Sequence, residues 1–125
     1  MSAAFGECPT CTHRMRIESM RCWRCGTTVN GQLAIPLVAR LPEDQARFVD
    51  VFLLGNGSLS AVQKEIDCSY PKARRLLDDT IATLRAEIES ARLEKEEILD
   101  ALERGDLEGK EAVQLVRSLI GVVDE

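Results

Sequence analysis

Residues 69–104 read SYPKARRLLDDTIATLRAEIESARLEKEEILDALER, and no glycine or proline interrupts the chain between Pro71 and Gly105. Apolar residues recur at 77, 81, 84, 88 and 91; Lys95 takes the next place, and the series resumes at 98 and 102. This alternation of four and three predicts one helix of about 34 residues, roughly 50 Å long, with a single apolar seam. With Ile81, Ile88, Lys95 and Leu102 at heptad position a, Leu77, Leu84, Ala91 and Ile98 fall at d. β-Branched residues at a with leucine at d favour a parallel two-stranded coil, and a lysine at one a position lowers stability while restricting register. Glu87 at g then faces Arg92 at e of a partner chain, whereas Glu94 meets Leu99 and makes no ion pair. The eight seam residues are the expected homodimer contact, over residues 77–104.

On the N-terminal side, Ser69 is placed to cap this helix and Pro71 to sit in its first turn. Leu59 to Ile66 forms a shorter helix with Leu59, Val62 and Ile66 on one face. Ser58 or Ser60 can cap it, Ser60 forming a capping box with Gln63. About three residues separate the two helices, the arrangement of a helix-turn-helix. Cys68, in that turn, reads as a small buried hydrophobe. A preceding helix, Pro42 to Leu54, starts with proline at its first position and Glu43 and Asp44 near the positive end of its dipole. Phe48, Val49, Phe52 and Leu53 give it one apolar face, and Gly55-Asn56-Gly57 ends it. Ser69, Tyr70, Lys72, Arg74 and Arg75 bring three cations and a tyrosine to the start of the long helix. That is the composition of a recognition helix whose N-terminal end meets the major groove. The alternative reading is a solvated helix start.

Farther out, residues 8–25 read CPTCTHRMRIESMRCWRC, two CxxC pairs ten residues apart. Each pair delivers two thiolates to one side of an ion, and two pairs complete a tetrahedral Cys₄ zinc site. Cys8, Cys11, Cys22 and Cys25 are the expected ligands of one structural zinc per chain. Four protein ligands leave no position for an activated water. A redox CxxC would want a surrounding βαβ pattern, which is absent. Met15, Ile17 and Ser19 alternate with Arg14, Arg16 and Glu18, a strand pattern, and Thr28-Val29 and Leu33 to Ile35 are also strand-like. His13 reads as an exposed strand residue, or as a substitute or supporting group for the zinc ligands. Trp23 either packs the knuckle or offers its ring to a base or a partner's pocket.

Five cysteines in 125 residues are poorly explained as a disulfide framework, since one would be left over. No run approaches the roughly 20 apolar residues of a membrane span, and the N-terminus lacks the pattern of a signal peptide. The expected location is the cytoplasm. Residues 1–76 hold 10 Lys and Arg against 7 Asp and Glu, whereas residues 77–125 hold 6 against 14. Any nucleic-acid site is therefore a local patch at the front of the chain. No Ser/His/Asp or paired-carboxylate constellation accompanies the cysteines, so neither an enzyme nor a small-molecule substrate is expected.

The stretches CPTC and CWRCG, the segment ARLPEDQARFVDVFL and the segment GNGSLSAVQKEIDCSYPKARRLLDDTI resemble a family of small prokaryotic proteins. Those proteins join an N-terminal zinc ribbon to a sigma-factor-like helix-turn-helix, and the resemblance covers roughly residues 8–81. It implies that the four cysteines are the zinc ligands and that the helix from Ser69 is the recognition helix. Gln63, Asp67 and Cys68 depart from the usual motif, which has a small residue, a glycine and an aliphatic at those places. The tail ILDALERGDLEGKEAVQLVRSLI is similar to a short two-helix oligomerisation motif at the ends of bacterial regulatory proteins. The expected fold is mainly α with a small N-terminal β zinc ribbon, a helix-turn-helix core and a long dimerising helix. Its parts are a ribbon over residues 1–36, a helix-turn-helix domain over 37–81, the coil over 77–104 and a C-terminal helix over 105–125, expected to run from Leu107 to Ile120. The expected function is a dimeric DNA-binding transcriptional regulator. The alternative is a protein-interaction adaptor acting on the transcription machinery or on another regulator.

Overall fold

The computed structural model of the chain describes residues 6–33 and 35–119. In order it contains β1 (Ile17–Arg21), β2 (Thr28–Leu33), a 3₁₀ turn (Leu37–Arg40), α1 (Glu43–Leu54), α2 (Leu59–Ile66), α3 (Tyr70–Glu103) and α4 (Gly109–Arg117). The fold is mainly helical with a small two-stranded antiparallel sheet, as the sequence predicts. No helix among the described residues is long and apolar enough to cross a membrane. The chain divides into two compact units, one of Leu37–Glu87 and one of Gly6–Pro36 together with the chain from Ile88.

The first unit is the three-helix arrangement. Phe48 of α1, Val62 of α2 and Ala73 of α3 are fully buried, and Phe52, Leu59, Ile66, Cys68, Leu76 and Leu77 pack around them. Phe48 and Phe52 stack with ring centres 5.5 Å apart. The sequence places Leu53 on this face, but Leu53 is 66% exposed. Leu53 lies about 40° past Val49 around the helix, beyond the side of α1 that α2 and α3 cover.

Local signals set the ends of these helices. Pro42 precedes α1 as its cap instead of being its first residue, and its carbonyl accepts the Ala46 N–H at 2.8 Å. At the far end the Gly57 N–H reaches Phe52 O at 2.8 Å and the Asn56 N–H reaches Leu53 O at 3.1 Å, with Asn56 left-handed. This double closure satisfies carbonyls the last turn would otherwise leave open. Ser58, and not Ser60, caps α2 by accepting from the Ala61 N–H at 3.3 Å. Asp67, in the left-handed region, closes α2, a conformation that Asp tolerates better than most residues. Ser69 accepts from the Lys72 N–H at 3.3 Å and caps α3.

Gly55 does more than stop α1. A Cβ built on it would lie 2.6 Å from the Ala61 Cβ and 3.1 Å from the Val51 carbonyl oxygen. The end of α1 and the start of α2 can approach this closely only without a side chain there. Gly55→Ala should therefore destabilise this unit by about 1–3 kcal/mol, read as a lowered thermal midpoint.

In the second unit β1 and β2 pair through Met20↔Val29 and Arg21↔Thr28, with an irregularity between Ile17 and Ser19. The strand lies closer to the second cysteine pair than the alternation from Met15 predicts. A separate bridge, Glu7↔Arg14, frames the first pair. The end of α3 is closed by left-handed Gly105, whose N–H bonds Leu102 O at 3.1 Å while the Asp106 N–H bonds Ala101 O at 2.9 Å. The last helix starts at Gly109, later than Leu107, and Ala112 and Leu119 are buried. Ile120, its expected end, lies outside the described residues, as do residues 1–5 of the expected ribbon segment.

Candidate metal centre and nucleic-acid interface

The two CxxC segments fold alike. In the first, the Cys8 N–H donates to His13 O and the Thr12 N–H to Cys8 O, both at 2.9 Å. In the second, the Cys22 N–H donates to Thr27 O at 2.8 Å and the Gly26 N–H to Cys22 O at 2.9 Å. The residue after each second cysteine is left-handed, Thr12 at φ 66° and Gly26 at φ 78°. Gly26 adopts that conformation without cost, whereas Thr12 is β-branched and does not. The shared hydrogen-bond pattern turns both thiols of a pair to one side.

Electrostatics favour the ligand form. Hydrogen bonds from the Cys11 and Thr10 amides hold the Cys8 thiol below its ordinary range. The Thr27 hydroxyl and amide do the same for Cys25. Each of these thiols also meets the other cysteine of its own pair, Cys8 meeting Cys11 and Cys25 meeting Cys22. The sulfurs are brought together in two pairs, and among the described residues no three His, Cys, Asp or Glu side chains form one metal-sized cluster. The donor chemistry and the two like turns fit zinc. Closing the site requires the two pairs to meet around the ion.

His13 is exposed, as its place in the sequence predicts, and it is also tied at both ring nitrogens. Nδ1 lies 3.1 Å from Cys11 O and Nε2 lies 3.0 Å from a Glu97 oxygen. Two acceptors favour the doubly protonated ring, so its pKa is raised, first by the hydrogen bond to Glu97 and then by that to the Cys11 carbonyl. Beside it, Arg14 Nη1 donates to Ser90 Oγ at 3.2 Å and to Glu94 Oε2 at 3.1 Å. The Arg14 and Glu94 side chains are only 8% and 18% exposed. This clasp between the first knuckle and α3 was not legible in the sequence, where Arg14 looks like the polar side of a strand. Ala91, next to Ser90, is fully buried.

The expected dimer seam is accordingly divided. Ala91 is buried within its own chain, and Leu77 packs on the helical core. Leu84, Lys95, Ile98 and Leu102 are half-buried, and Ile81 and Ile88 are exposed. Glu87 is half-buried, and Arg92 pairs with Glu89 and Glu96 of its own helix.

The candidate nucleic-acid residues stand together at the start of α3. Ser69, Tyr70, Lys72, Arg74 and Arg75 are all exposed while Ala73 between them is buried, so the turn presents its polar residues outward. The Ser69 hydroxyl is used in the cap. Arg74 lies 3.5 Å from Asp78 on the same helix, an exposed pair that holds it weakly. Lys72 shares a groove with Glu43 and Asp44 of α1, which reduces the positive field on that side.

Two models of one family match consecutive parts of the chain. The DUF2089 zinc ribbon matches residues 8–36, and the model described as "Domain of unknown function (DUF2089)-HTH" matches residues 41–87. No curated protein and no solved structure matches the chain.

Proposed function

Because the chain belongs to the DUF2089 family, whose zinc-ribbon and helix-turn-helix models together match more than half of it, we propose that it is a DNA-binding transcriptional regulator. The observation that supports this most is the start of α3: three exposed cations and Tyr70 on the second helix of a helix-turn-helix, over a buried Ala73. Lys and Arg neutralise phosphates and fix the register, and an exposed side chain such as Tyr70 can meet base edges. One zinc per chain, held by Cys8, Cys11, Cys22 and Cys25, orders the ribbon. The protein works in the cytoplasm and carries out no catalysis. Retention on duplex DNA at modest salt tests the reading, and failure to bind any duplex would refute it.

Two copies pair along α3, through the part of the seam that their own chains leave open, centred on Ile81 and Ile88. Ile81→Glu with Ile88→Glu should convert the dimer to monomer in light scattering at micromolar concentration, with the helical signal retained, because a charge at a and loss of the apolar knob both oppose the coil. A wild-type monomer under the same conditions would remove dimerisation from the proposal.

A second reading, a protein-interaction adaptor, draws on the end of α1. Leu53 and Leu54 are 66% and 86% exposed side by side there. That apolar pair offers a docking point that DNA does not need.

A further inference from the structure

Trp23 lies between the cysteines of the second knuckle, in the turn joining β1 to β2, and is 93% exposed. It does not pack the knuckle. Leaving an indole in water forgoes apolar burial at about 25 cal/mol per Å², a cost that a serine or lysine in this turn would not carry. Met20 and Val29, cross-strand partners and therefore on one face of the hairpin, are also more than half exposed. Arg21 and Arg24 are exposed on either side of the tryptophan in sequence. The Arg21 guanidinium rests 3.5 Å from where a Cβ on Gly26 would stand, so it lies against the knuckle.

Along the chain, this tip carries charge of one sign. No Asp or Glu occurs between Glu18 and Glu43, although the chain has 21 acidic residues in 125. A flat π face and two planar cations, in a stretch without carboxylates, are complementary to a partner with phosphates and exposed base faces. Bases stack on indole and guanidinium planes, and phosphates pair with guanidinium groups. A duplex keeps its base faces stacked on one another, whereas a single strand offers them. We propose that the hairpin tip formed by Arg21, Trp23 and Arg24, with Met20 and Val29 on the adjoining strands, binds single-stranded nucleic acid by stacking an unpaired base on Trp23.

The chain has one tryptophan, so its emission reports on this tip alone. Zinc-loaded full-length protein is titrated with short oligothymidylate and oligouridylate, following emission and the anisotropy of labelled strands. Saturable quenching is expected, and the arm that quenches at lower concentration identifies DNA or RNA as the source. Trp23→Ala should weaken strand binding about 5- to 150-fold, from the range for one base stacked on an aromatic ring. Trp23→Phe should recover part of the loss, and Arg24→Ala should weaken binding while flattening its salt dependence. Zinc content equal to wild type is required of each variant, so a misfolded knuckle cannot imitate the result. Lys72→Ala and Tyr70→Ala should leave the quenching unchanged, which separates this proposal from duplex binding by α3. Emission unaffected by either strand, or Trp23→Ala binding as tightly as wild type, would overturn it. Quenching by polyglutamate but by neither strand would also overturn it, in favour of an acidic protein partner.

Discussion

Removing zinc with a strong chelator should unfold the ribbon while leaving α1, α2 and the first half of α3 folded. Among described ribbon residues, the side chains from Glu18 to Cys25 are all exposed, so β1, β2 and the knuckles have little apolar burial of their own. A unit this small cannot offset the loss of chain entropy on side-chain packing, and structural zinc contributes about 10–16 kcal/mol in comparable small sites. The helical unit has its own core in Phe48, Val62 and Ala73 and does not draw on the metal. Hydrogen exchange before and after chelation checks this. Amides of residues 6–33 should lose protection, and those of residues 43–80 should keep it. Ribbon amides that stay protected without metal would exclude the zinc role. Acidification should have the same effect as chelation, because the ligands bind as thiolates and protons compete with the ion for them.

Glu94→Ala should release the first knuckle from α3, at a cost of about 3 kcal/mol. The Arg14 and Glu94 side chains are among the least exposed charged groups of the unit. Removing one member of a buried pair costs about 3–5 kcal/mol where the other charge keeps no partner; the low end applies because Arg14 keeps other interactions, Ser90 among them. Removing both charges as Arg14→Met with Glu94→Leu should cost less, since no buried charge then remains at the clasp. Limited proteolysis between residues 12 and 21 reads the release, and equal resistance of wild type and Glu94→Ala would show that the clasp is not what holds the knuckle.

Most of the element order is legible because it rests on local chemistry. The four-three spacing from Leu77 to Leu102, the serines before α2 and α3, and the Gly55-Asn56-Gly57 stop each act within one or two turns, and each reappears in the structure. The paired CxxC spacing likewise identifies the ribbon, and both family models fall where the quoted stretches do. What escapes the sequence depends on which surfaces meet. Ala91 fits a d position of a coil, yet it is buried beside Ser90 and Glu94, which Arg14 joins. Seventy-six residues separate Arg14 from Ser90, and no periodicity encodes that meeting. Leu53 is apolar like its neighbours, and only the position of α2 and α3 decides that it faces water. Gly26, following CWRC, signals its left-handed turn; Thr12 adopts the same turn without any such signal.

Whether the start of α3 holds and reads DNA is decided by one measurement: affinity for a duplex enriched from a random pool, taken across salt concentrations, for wild type, Lys72→Ala and Tyr70→Ala. Three cations per protomer in a dimer make about six phosphate contacts, so the log–log salt slope should lie near −5, and Lys72→Ala should reduce its magnitude by about 2 per dimer. Tyr70→Ala should leave the slope nearly unchanged and lessen discrimination between the enriched duplex and a scrambled one, because a side chain reading base edges releases no counterions. Equal, weak binding to every duplex, unaltered by either substitution, would contradict the regulator and leave the adaptor.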